Sequence, residues 1–139
     1  MSVRKFALYW FVVTLLAVSA CSALPFGGPT PTPTPISITD PNFLIGTWKG
    51  AYKGDEAVFN FDAAGNISIA AYGSLQGGAY TLNLETTPYQ LDIVLADNAG
   101  TITTIIEFMD ANTIKIENVY PSVERPSAFS DFFILTRSE

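Results

Sequence analysis

One thiol, at Cys21, and no histidine anywhere in 139 residues leave little from which a reaction could be built. Zinc and copper sites rely on imidazole and thiolate ligands. Nucleophilic triads of the usual kind need a histidine base. Calcium would use carboxylates, but no D-x-D-x-D-G loop is present, and Asp62-Ala63-Ala64-Gly65-Asn66 reads as a turn. Paired carboxylates, the groups of glycoside hydrolysis, remain. Glu85, Asp92, Glu107 and Glu117 stand in strand-like segments, each in the polar phase of its alternation. With the apolar phase in the core these four face water, and only an inward polar phase would make them pocket residues. The expectation is a protein that is not an enzyme and uses no metal and no cofactor.

Other side chains could bind rather than react. Arg125 lies in Val123-Glu124-Arg125-Pro126-Ser127, between the last two expected strands. It either pairs with Glu124 in solvent, which is worth little, or meets an acidic ligand at the mouth of the fold. Tyr52, Tyr72, Tyr80, Tyr89 and Tyr120 could line a ligand cavity or serve as core and rim of a small β-domain. Nucleic acid is excluded as a partner by charge. The net charge is -6, and without Arg4 and Lys5 the chain has 5 basic against 13 acidic residues, a net of -8.

Cys21 gains meaning from what precedes it. Arg4 and Lys5 are followed by FALYWFVVTLLAVSA, residues 6–20, without a charge. A spanning helix needs about 20 apolar residues, and this run is shorter. A positive start, a short apolar stretch and a small-residue exit define a secretory signal peptide over 1–20, with an uncleaved membrane anchor as the alternative. The exit Val18-Ser19-Ala20-Cys21 resembles the lipobox of bacterial lipoproteins, with Val18 in place of the usual leucine. That resemblance implies cleavage before Cys21, a diacylglyceryl thioether on its sulfur and an acylated amine, with palmitate-type chains. Two or more chains hold a protein firmly on a membrane, whereas one chain binds marginally. The implied localisation is outside the cytoplasm, anchored to the cell membrane or the outer membrane.

Residues 21–42 hold the anchor and a spacer. Thr and Pro alternate from Pro29 to Pro35. Proline fixes φ and lacks an N–H, so neither a helix nor a central strand runs through this stretch. It reads as a polyproline-like tether able to lift a domain by about 60 Å when extended.

From 43 to 139 the pattern changes to a period of two. Ala57, Phe59 and Phe61 alternate with polar or outward positions, as do Tyr80, Leu82 and Leu84, then Ile102, Thr104, Ile106 and Phe108. Strands are expected near 46–53, 56–62, 66–72, 78–85, 89–96, 101–109, 112–118 and 130–137. Asx/Gly turns separate them, and Gly73 to Gly78 reads as a further break. Short connections favour an antiparallel meander, and such a sheet can close into an up-and-down barrel.

Gly46-Thr47-Trp48 on the first strand resembles the G-x-W signature of lipocalin-like barrels, and Leu135-Thr136-Arg137 stands where that superfamily carries an arginine across the tryptophan. More of the domain is similar to a small bacterial lipocalin-like family of unknown function. The similar pieces include Gly78-Ala-Tyr80-Thr-Leu82, Pro88-Tyr-Gln-Leu91-Asp92-Ile93, Asn112-Thr-Ile114-Lys-Ile116 and Arg125-Pro126 with Phe129. The resemblance implies an all-β barrel closed by Trp48 and Arg137. The expected role is binding, of a small apolar ligand inside or of an envelope protein outside.

Overall fold

The computed structural model describes residues 34–138. The expected signal peptide 1–20, the lipobox Val18-Ser19-Ala20, Cys21 and the spacer as far as residue 33 lie outside the described residues. The described chain forms a closed barrel of eight antiparallel strands that are neighbours in space in their order in sequence. The strands are β1 Gly46–Tyr52, β2 Asp55–Phe61, β3 Asn66–Ala71, β4 Ser74–Asn83, β5 Tyr89–Leu95, β6 Thr101–Asp110, β7 Thr113–Glu117 and β8 Phe132–Ser138. β1 returns to β8 from Thr47 opposite Ser138 to Ala51 opposite Ile134, so no edge is left unpaired.

The two-residue period does what it promises. Trp48, Phe61, Leu91, Ile106, Phe108, Ile114 and Leu135 point inward and are fully buried. They fill one end of the barrel, where the chain enters and where β8 finishes. β4 departs from expectation. Its first half, 74–78, has the glycine content of a break, yet Ser74 already pairs with Ala71 and Gly78 with Leu95. The reason is local: Tyr72 and Gly73 both take positive φ, 52° and 70°, and reverse the chain in two residues. Gly78 is then needed as a strand residue, because a Cβ there would stand 2.3 Å from the Val94 carbonyl oxygen.

The packed chain also begins earlier than residue 43. The Ile36 N–H donates to the Phe108 carbonyl at 2.9 Å, and the Ile38 N–H donates to the Tyr89 hydroxyl at 2.9 Å. Ile38 is buried and Ile36 packs against the core. Ile36-Ser37-Ile38 has the apolar alternation that the Thr/Pro repeat lacks, and that distinction decides which part of the expected spacer adheres to the barrel.

The floor is sealed by one cluster. Trp48 is fully buried, and its Nε1–H donates to the Leu44 carbonyl at 2.8 Å. The Arg137 guanidinium lies 4.2 Å from the Trp48 ring centroid and 5.4 Å from that of Phe43. It also donates to the Ile45 carbonyl at 2.7 Å and the Phe43 carbonyl at 2.6 Å. Gly46 has φ 131°, and a Cβ on it would come within 2.9 Å of the Arg137 Nη1, so only glycine suits the position. Replacing Trp48 with alanine should lower stability by about 3–5 kcal/mol in urea unfolding, as for other buried aromatic truncations. A loss under about 1 kcal/mol would mean that the indole does not seal the floor.

Candidate ligand-binding cavity

The other end of the barrel is not filled. Its inward positions carry smaller side chains, Ala57, Ala71 and Thr104, where the floor has Trp48 and Phe108. The result is a cavity of about 150 Å³, walled by Phe59, Ile69, Ile93, Ile102, Ile116 and Phe133. It reaches the surface between Tyr72 and Gln76 on one side and Asn118 to Pro121 on the other. Of the five tyrosines singled out in the sequence, Tyr72 and Tyr120 line this cavity. Tyr80 and Tyr89 serve the opposite end, donating to the Asp62 carbonyl and receiving the Ile38 N–H respectively.

Tyr52 supports the rim from within. It is buried, its ring 4.8 Å from Phe133 and 5.6 Å from Tyr72. Its hydroxyl donates to the Asp131 carboxylate, which also receives the Lys53 ammonium and the Asn118 amide, each at 3.4 Å. The Tyr52 hydroxyl, followed by the Asn118 and Lys53 donors, holds the Asp131 carboxyl below its ordinary value of 3.8. Tyr72 is 49% exposed yet its phenol is pushed up to about 12, by burial first and then by Tyr52, Tyr120 and Asp131. A tyrosine at positive φ in a tight turn is strained, and this one stands at the cavity mouth.

The connection 118–131 forms the remaining lip, then folds down over the outside of the barrel wall. Three corrections to the sequence reading follow from this path. Glu117 does not face water: it is 4% exposed, and its carboxylate receives the Ser130 N–H, the Ser130 hydroxyl and the Asp131 N–H at 2.6 to 2.9 Å. Arg125 pairs with Asp92 rather than Glu124, and its second arm donates to the Thr104 carbonyl at 2.5 Å. Arg125 is not at the mouth either, because Asp92 belongs to the outward phase of β5. It rivets the connection to the wall, aided by the Ser122 N–H on the Thr101 carbonyl and the Thr103 hydroxyl on the Val123 carbonyl. Glu85 is exposed as expected, and Glu107 lies 3.8 Å from Lys115 on the outer face.

This covering explains Ile105, which is 2% exposed although it alternates outward between Thr104 and Ile106. Nothing in the local pattern of Glu117 or Ile105 signals burial. The signal lies in the length of the connection, which is too long to be only a turn. Gln76 at the mouth carries no local strand signal, because it sits in the glycine-rich run Gly73 to Gly78. Among the described residues no three His, Cys, Asp or Glu side chains cluster as a metal site. Comparison with protein-family models, curated proteins and solved structures finds no match to the chain.

Two measurements test this account. Glu117→Ala should cost about 2 kcal/mol or more, since hydrogen bonds to a buried charge are lost, and should open 118–131 to protease. Unchanged proteolysis would mean that the carboxylate does not hold the connection. For Asp131 the folded pKa is depressed, so its contribution to stability is present above 3.8 and lost as pH falls through the folded value. Tyr52→Phe should move the carboxyl titration of Asp131, followed by NMR, up towards 3.8, and an unmoved midpoint would rule out the hydroxyl as the cause.

Proposed function

We propose that this is an exported, lipid-anchored, non-enzymatic binding protein of the cell envelope whose barrel holds a small apolar ligand. The observation that carries the reading is the apolar cavity of about 150 Å³ open at one end of a barrel sealed at the other. An apolar cavity of about this size, created in another protein, stays dry and takes up benzene. The ligand, or the part of it that enters, is therefore no larger than a single ring or a short branched alkyl group. Placement in the envelope rests on the signal-like segment 1–20 and the lipobox-like Val18-Ser19-Ala20-Cys21, with membrane lipid as the partner of an acylated Cys21. The resemblance to lipocalin-like barrels agrees with this reading. A second reading, an assembly or accessory protein that uses the barrel as a rigid interaction surface, draws on Leu75 and Tyr120, which are 76% and 71% exposed.

Toluene titrated into the full chain in detergent should shift the methyl NMR signals of Ile93, Ile102 and Ile116 in a saturable way. Ala71→Phe, which fills the cavity, should abolish the shifts while the circular dichroism of the barrel is kept. Unsaturable or unaltered shifts would remove the ligand reading and leave the interaction surface. The anchor is tested separately. Cys21→Ala should release the protein from the membrane fraction and raise its electrophoretic mobility. Retention in that fraction at unchanged mobility would refute lipidation.

A further inference from the structure

The cavity mouth carries an unbalanced charge. Glu117 and Asp131 tie the connection 118–131 to the rim, and the Lys53 ammonium rests on Asp131 alone, with its side chain 69% exposed. Glu117 is 4% exposed. An exposed charge is screened by water and salt, whereas a buried one is screened much less. The field of Glu117 therefore acts in the cavity more strongly than that of Lys53. Arg125 does not offset it, because its guanidinium is engaged by Asp92 and the Thr104 carbonyl on the outer wall. The mouth also presents the rings of Tyr72 and Tyr120, whose faces are electron-rich and attract cations. The whole chain, at a net charge of -6, draws cations from a distance.

Resting on the reading that the cavity takes a ligand, we infer that the site selects by charge: it takes a compact apolar group bearing an ammonium head and rejects the carboxylate of the same skeleton. The apolar group, ring-sized, occupies the space between Phe59, Ile93 and Ile116. The ammonium lies at the mouth beside Tyr72 and Tyr120, within the field of Glu117 and Asp131. The site thereby separates amines from fatty or aromatic acids of equal size, a distinction that apolar walls alone cannot make.

A matched set of probes tests the inference: 2-phenylethylamine, 2-phenylethanol and 3-phenylpropanoate, titrated into the full chain in detergent at neutral pH and followed by calorimetry and isoleucine methyl NMR. The amine should bind tightest and the carboxylate weakest, with about tenfold or more between them. Equal affinities, or a carboxylate that binds tighter, would overturn the charge selection while leaving the cavity reading intact, since the alcohol would still bind. If none of the three binds, the cavity reading fails and this inference with it. Tyr120→Leu keeps the apolar area of an exposed side chain and removes its π-face. It should weaken the amine about threefold and leave the alcohol unchanged. An equal loss for both probes would refute the part assigned to the ring.

Discussion

A guanidinium stacked on an indole decides how this barrel is organised. Arg137 belongs to β8 and Trp48 to β1, so their contact joins the two ends of the sheet at the place where the barrel closes. The same guanidinium satisfies the carbonyls of Phe43 and Ile45, which would otherwise be left where the incoming chain crosses the floor. Burying them unpaired would be costly. Gly46 follows from this packing, since any side chain there would collide with the arginine. With the floor occupied by Trp48, Phe61 and Phe108, any room inside a barrel of such short strands can lie only towards the other end.

The open end is governed by a different set of forces. Its aromatic side chains support one another, Tyr52 packing tilted against Phe133 and edge-to-face against Tyr72, while the polar tip of Tyr52 reaches the Asp131 carboxylate. Tyrosine suits this place because one end of it packs and the other is wet. The connection 118–131 is held at both ends by carboxylates rather than by a core of its own. Glu117 and Asp131 fix it near β7 and β8, and Asp92 fixes it through Arg125 to β5. The lip of the cavity is therefore positioned by charge-assisted hydrogen bonds, which are directional and sensitive to protonation. The floor, by contrast, depends on burial.

That division explains which features could be read along the chain. The alternation of Ala57, Phe59 and Phe61, or of Ile102, Thr104, Ile106 and Phe108, is local, and each strand declared its inward face without reference to its neighbours. Gly73 to Gly78 misled because glycine serves two purposes: Gly73 turns the chain through a positive φ, while Gly78 lets β4 lie close to β5. The second use depends on a neighbouring strand and leaves no local mark. Glu117 was legible only as a polar residue in phase with solvent, and Arg125 only as a cation between strands. Their partners lie in the segments that fold back over them. Ile36 and Ile38 were absorbed into a spacer because the prolines before them dominate the composition.

The sequence by itself determined the period of two, the positions of most turns and the number of strands, which follow from side-chain chemistry at fixed spacing. The pairing of Trp48 with Arg137 was implied only by the resemblance to lipocalin-like barrels, since residues so far apart in the chain carry no local sign of their contact. Tertiary structure alone decided where the barrel stays open, that Tyr72 and Tyr120 meet at that opening, and that Glu117 is buried. A cavity is a deficit of volume summed over many strands, and the burial of an outward-facing carboxylate depends on a segment that returns to cover it. Neither quantity belongs to any one stretch of chain, so neither can be read from one.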